Sequence, residues 1–85
     1  MNRKDTIEAA ASVIIERESS HGSPADNFRL VGDLWAHYLN IPGEIEPKDV
    51  AAMMILLKIA RSRLGHSDDH AVDICGYAAL MNELS

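Results

Sequence analysis

The sequence predicts an all-α fold, a compact four-helix bundle, from three observations. Apolar residues make up 47% of the chain but aromatic residues only 5%, so the core must come mainly from aliphatic side chains, which favours packed helices. Apolar positions recur at helical spacing. Clusters of Gly, Pro and Ser divide the chain into four segments of helix length. A chain of 85 residues has room for one domain, spanning 1–85.

The first predicted helix runs from Asp5 to Glu18. Its apolar residues recur three, four, seven and eight positions apart, the stripe of an amphipathic helix: Ile7, Ala10, Ala11, Ile14 and Ile15. The charged side chains of Glu8, Glu16 and Arg17 are then expected to face solvent.

The second helix is predicted to begin at Pro24, with Ser23 as its N-cap and Asp26 as the capping-box acid that reaches back to the Ser23 amide. It continues to about Leu39. The side chains expected on its buried side are Phe28, Val31, Trp35 and Tyr38.

The third helix is predicted from Pro47 to about Leu64, with Gly65 as its C-cap glycine. Residues 50–57 are apolar on every side, which predicts that this half of the helix is central or lies in an oligomer interface. The fourth helix is predicted to start after the N-cap Ser67 and to take its apolar content from residues 72–81.

Composition excludes several classes of protein. Cys75 is the single cysteine, so no intramolecular disulfide forms and a cytosolic location is expected. No apolar stretch reaches membrane-span length, and the N-terminus lacks a signal-peptide pattern. The net charge of -5, with scattered Lys and Arg, argues against binding to duplex nucleic acid. Because so short a chain buries little surface, a homo-oligomer is expected.

Two charged residues interrupt apolar helix segments and are candidate site residues. Lys58 follows eight apolar positions and shares a helix face with Arg61, and Asp73 stands alone in an uncharged stretch. Three interpretations stay open: the Lys58 ammonium reaches solvent, Asp73 forms a structural ion pair with Lys58 or Arg61, or Lys58 and Arg61 face a phosphate.

Helical spacing places Asp73, Gly76 and Tyr77 on one face of the fourth helix. A glycine inside a helix needs a packing or binding reason, and here it is either a close helix crossing or the approach of a flat ligand. At the start of the second helix, His21 and Asn27 are candidate ligand contacts, although Asp26 competes for the free amides there.

A run of His and acidic residues opens the fourth helix, but its spacing is not diagnostic of a metal site. The helix dipole already explains acids in a first turn, and ordinary surface placement explains the histidines. No metal ligand is assigned to His66, Asp68, Asp69, His70 or Asp73.

Three segments resemble a family of small tailed-phage and prophage proteins that is commonly described as MazG-like. They are Ser-Pro-Ala-Asp-Asn-Phe at 23–28, the Lys-x-x-Arg of Lys58 and Arg61 within 50–61, and the Asp-x-x-Gly-Tyr of 73–77. The resemblance covers the chain from about Ile14 onward. It implies an all-helical, oligomeric protein related to magnesium-dependent nucleoside triphosphate pyrophosphohydrolases.

The chain departs from that family in the residues that would bind magnesium. It has no Glu-x-x-Glu, and the third helix has no acid after Asp49. The resemblance therefore implies a phage-encoded, cytosolic, non-catalytic nucleotide-binding protein without a cofactor, which could sequester a host nucleotide immune signal. Lys58 and Arg61 would contact phosphate, Tyr77 or Trp35 would stack on a base, and Asn27 and Asp73 would orient polar edges.

Two alternatives remain. One is a magnesium-dependent nucleotide pyrophosphohydrolase with a reduced metal site built on Asp69 and Asp73. The other is an interaction module without a ligand, whose charged residues form only structural ion pairs.

Overall fold

A computed structural model describes all residues 1–85 as four α-helices and no strand. They are α1 (Arg3–His21), α2 (Pro24–Leu39), α3 (Pro47–Ser62) and α4 (Asp68–Glu83). The all-α prediction is confirmed, and α2, α3 and α4 begin at or directly after the predicted caps. None of the four helices combines the length and hydropathy that a membrane crossing needs.

The first helix is longer at both ends than the apolar stripe predicts, because its caps lie outside the stripe. The side chain of Asn2 accepts a hydrogen bond from the Asp5 amide at 2.8 Å. At the other end the Gly22 amide donates to the Glu18 carbonyl at 3.0 Å, and Gly22 takes a φ of 84° that favours glycine. The chain then turns directly into α2.

The third helix ends at Ser62, two residues before the predicted Leu64. Beyond it the Leu64 amide donates to Arg61 and the Gly65 amide donates to Ser62, each to the carbonyl three residues earlier and at 3.2 Å. This tight turn replaces the α-helical pattern before Gly65 is reached, so Gly65, at φ 139°, leads the chain toward α4 and is not the cap.

The helices pack in the spatial order α1, α4, α3, α2, so that α3 and α4 are central and α1 lies against α4. Only seven residues are buried, and most of them are small, so the most closely packed positions carry short side chains or none. The seven are Ala10, Gly32, Val50, Ala51, Val72, Gly76 and Leu80.

Many large apolar side chains remain outside this core. The central placement of α3 is confirmed at Val50 and Ala51, but Met53 and Leu56 in the same apolar segment are exposed. The expected burial of Tyr38 is wrong, since Tyr38 is 87% exposed. With about 3.6 residues per turn, Tyr38 lies roughly 120° around α2 from Gly32, and Gly32 marks the face that packs on the chain leading into α3.

Candidate functional site

A cavity of about 190 Å³ lies where α1, the start of α2 and α4 meet. About half of its lining residues are hydrophobic, and the apolar side chains that reach it from three helices include Ala10, Val13, Ile14, Pro24, Val72 and Leu80. Pockets with an apolar interior and a few polar groups are the usual form of small-molecule sites. The cavity is therefore the best candidate for a ligand site in this fold.

One wall of the cavity is aromatic. The rings of Phe28 in α2 and Tyr77 in α4 both line it, with centroids 6.2 Å apart and planes inclined by 34°. Such a tilted pair has favourable electrostatics and joins α2 to α4 at the cavity. A flat apolar ring of a ligand could pack against this wall.

Asp73 lines the same cavity and forms an ion pair behind it. The Lys58 ammonium, from α3, lies 2.9 Å from Asp73 Oδ2, and the two side chains are only 16% and 21% exposed. Of the two partners that the sequence left open for Asp73, the structure thus shows Lys58 and not Arg61. Because the Lys58 ammonium is paired with Oδ2, Oδ1 is left as an acceptor, while Lys58 itself does not line the cavity.

Asn27 and His21 also line the cavity, and a hydrogen bond joins them. The Asn27 side-chain Nδ2 donates to the His21 carbonyl at 2.9 Å. This bond satisfies a carbonyl at the end of α1 that no helical amide reaches. It fixes the corner between α1 and α2 and leaves Asn27 with its Oδ1 as an acceptor.

Arg17 and Glu18 line the cavity as well, although the sequence predicted Arg17 to face outward. Arg17 is solvent exposed, but it stands three residues after Ile14 and four before His21, and both of those residues also line the cavity. That spacing was the signal in the sequence, because it puts all three side chains on one helix face. The prediction that Arg17 faces solvent is confirmed by its exposure, and the structure adds that this side chain also lines the cavity.

Besides Lys58, two further predicted site residues lie outside the cavity lining. Arg61 is exposed in the last turn of α3, and Trp35 is half-buried in the second half of α2. Neither lines the cavity. Arg61 shares a helix face with Lys58 but not its contact with Asp73, so the two cations are not brought together over one anion site.

Gly76, which lines the cavity, has room for a side chain. A Cβ built there would lie 3.7 Å from Cγ1 and 3.8 Å from Cδ1 of Ile14, which is ordinary van der Waals distance. A close helix crossing therefore does not require this glycine. The missing side chain instead enlarges the cavity, which fits the interpretation that a flat ligand approaches here.

No three His, Cys, Asp or Glu side chains form a group that could hold a metal ion. His66 Nε2 lies 3.3 Å from Asp68 Oδ1, and the amino group of Met1 lies 3.6 Å from the other oxygen of Asp68. Asp73 is paired with Lys58. A magnesium site on Asp69 and Asp73 would need further ligands from outside this arrangement.

The chain is thus a small all-helical domain whose candidate ligand site is a cavity lined by apolar and polar side chains. The domain described as "Domain of unknown function (DUF6378)" matches residues 5–85, and the chain belongs to this family. It is 40% identical over 70 residues to the Gene 55 protein of Mycobacterium phage L5 and 39% identical over 70 residues to the Gene 55 protein of Mycobacterium phage D29.

Each of these matches covers 81% of the chain but only 44% and 45% of the phage proteins, so the chain spans less than half of their length. No solved structure matches the chain. The comparisons establish a family of phage proteins.

Proposed function

We propose that this phage protein binds a nucleotide and does not cleave it. The observation that carries the proposal is the single cavity that combines the Phe28–Tyr77 wall, the paired carboxylate of Asp73 and the cation of Arg17. An aromatic wall suits a base, a fixed acceptor suits its polar edge, and a guanidinium suits a phosphate. Arg17 takes the part that the sequence alone suggested for Lys58 and Arg61.

Sequestration of a host nucleotide signal in the bacterial cytosol is the biological role that this proposal suggests. Sequestration needs binding but no catalysis, which agrees with a site that offers hydrogen-bond acceptors, aromatic rings and one cationic side chain. The MazG resemblance stays a prediction and would be supported by nucleotide binding. Hydrolysis would require magnesium ligands beyond Asp69 and Asp73.

Isothermal titration calorimetry with a panel of linear and cyclic nucleotides tests the proposal. Tyr77→Leu removes one of the two rings of the aromatic wall, and Tyr38→Leu is its matched control because Tyr38 is 87% exposed on α2. We expect Tyr77→Leu to weaken binding about tenfold, in line with the roughly 1–3 kcal/mol of base stacking on an aromatic side chain, and Tyr38→Leu to leave it unchanged. Absence of binding at high micromolar concentration for the whole panel would contradict the proposal.

We also propose that the protein self-associates into a homo-oligomer. The alternative that it is an interaction module without a ligand also predicts such an oligomer. Leu30 and Leu34, one turn apart on α2, are 59% and 57% exposed, and Leu56 on α3 is 63% exposed. Large exposed apolar surface marks interaction sites. Light scattering during size exclusion would give the stoichiometry. If Leu34→Lys leaves the observed mass unchanged, this face of α2 is not the interface.

A further inference from the structure

The charges around the cavity restrict the ligand it can hold. Lys58 contributes no free charge, because Asp73 neutralises it at 2.9 Å. Of the remaining lining side chains, Arg17 is cationic and Glu18 is anionic. A ligand with several phosphates would meet one guanidinium and the Glu18 carboxylate, which repels further negative charge. The cavity therefore suits a ligand with one phosphate or none.

The hydrogen-bonding groups restrict the polar edge of the ligand. A carboxylate accepts only, so a ligand group that meets Asp73 Oδ1 must be a donor. The amide nitrogen of Asn27 is engaged with the His21 carbonyl, which leaves Asn27 Oδ1 as a second acceptor in the same lining. Guanine carries an imino N–H and an amino group side by side, and both donate. Adenine places an acceptor nitrogen beside its amino group, and hypoxanthine lacks the amino group.

The volume of the cavity restricts the size of the buried part. About 190 Å³ is well below the roughly 300–1,000 Å³ of pockets that enclose drug-sized ligands. The cavity thus takes one ring system against the wall of Phe28 and Tyr77, with any sugar and phosphate on the side of Arg17, which is solvent exposed.

From these three restrictions we infer that the cavity is a site for a guanine base carried as a nucleoside or a nucleoside monophosphate. Asp73 accepts hydrogen bonds from the N–H edge, Tyr77 packs on the ring, and Arg17 contacts the single phosphate. The inference rests on the proposed nucleotide-binding function and adds the base and the charge of the ligand.

The test compares ligands on the unaltered protein by isothermal titration calorimetry. Guanosine monophosphate (GMP) should bind about tenfold more tightly than inosine monophosphate, which lacks one donor, and about tenfold more tightly than guanosine, which lacks the phosphate. Guanosine triphosphate should bind no more tightly than GMP. Because these comparisons use the wild-type chain, they do not depend on how any variant folds.

Variants then assign the contacts. Arg17→Gln should abolish the preference for GMP over guanosine, and Arg61→Gln tests the phosphate contact suggested by the sequence alone. Asp73→Asn should abolish the preference for GMP over inosine monophosphate, with circular dichroism confirming the helical fold.

Three outcomes would overturn the inference while leaving nucleotide binding intact. These are tighter binding of the triphosphate than of GMP, tighter binding of adenine or pyrimidine nucleotides, and loss of the phosphate preference in Arg61→Gln instead of Arg17→Gln. Failure of every nucleotide to bind would overturn the proposed function along with the inference.

Discussion

Two buried glycines lie at helix contacts in this protein, and the contacts differ in how much space they leave. At Gly32 in α2, an added Cβ would overlap the carbonyl oxygen of Ile45, in the segment that leads into α3. At Gly76 in α4, an added Cβ would lie 3.7 Å from the side chain of Ile14. One glycine is required by a backbone approach, whereas the other leaves space where a ligand site can form.

The largest effect is expected from Gly32→Ala. The new methyl group meets backbone, which cannot rotate away as a flexible side chain would, so α2 must move from its contact before α3. Overpacking of this kind costs about 2 kcal/mol or more even after the gain in helix propensity. Urea unfolding followed by circular dichroism measures the loss.

Gly76→Ala is the matched control for this prediction. It should raise the free energy of unfolding by about 0.5–1 kcal/mol, because alanine has less conformational entropy to lose and meets Ile14 at normal distance. It should also narrow the cavity and weaken nucleotide binding. Equal destabilisation by both substitutions would show that the two contacts are not different.

A smaller effect is expected at the contact between α3 and α4, where Lys58→Met removes the partner of a half-buried carboxylate. Since Asp73 is 21% exposed and water still reaches its carboxylate, the loss should be about 1–2 kcal/mol, below that for a fully buried pair. The double variant Lys58→Met with Asp73→Leu should recover most of this stability, because no charge is left unpaired.

Lys48→Met provides the control for the ion pair. Lys48 Nζ lies 3.6 Å from Glu46, and those side chains are 47% and 54% exposed. Solvent screening makes such a pair worth little, so the change should stay within about 0.5 kcal/mol. If Lys48→Met and Lys58→Met have the same effect, the Lys58–Asp73 pair is not a structural element that positions Asp73 at the cavity.

Local signals in the sequence predicted most of the fold and part of the site. Caps at Ser23 and Ser67 and the proline at Pro47 mark the starts of α2, α4 and α3, because capping depends on neighbouring residues. The partner of Asp73 was narrowed to Lys58 or Arg61, since a lone charge in an apolar helix needs an opposite charge.

The rest depends on how the helices are arranged in space. Nothing local to α2 shows that Gly32 meets the Ile45 carbonyl, and so the exposure of Tyr38 could not be predicted. The cavity likewise joins α1 to α4, far apart in the chain, and only this packing order makes Arg17 a lining residue. A helical stripe indicates which residues share a face but not which partner that face meets.

The smallest effect is expected at Asn27, which lines the same cavity as Gly76. Asn27→Ala removes the 2.9 Å hydrogen bond to the His21 carbonyl and leaves that carbonyl to water, while alanine gains helix propensity. Asn82→Ala, at an exposed position in α4, has the same gain without this bond. The Asn27 variant should therefore be less stable than the Asn82 variant by about 0.5–1 kcal/mol in urea unfolding.

Because the hydrogen bond between Asn27 and the His21 carbonyl holds the α1–α2 corner beside the cavity, amide exchange around Gly22 should also become faster in Asn27→Ala. Unchanged exchange would show that the corner is held by the packing of Phe28 on Tyr77 and not by Asn27.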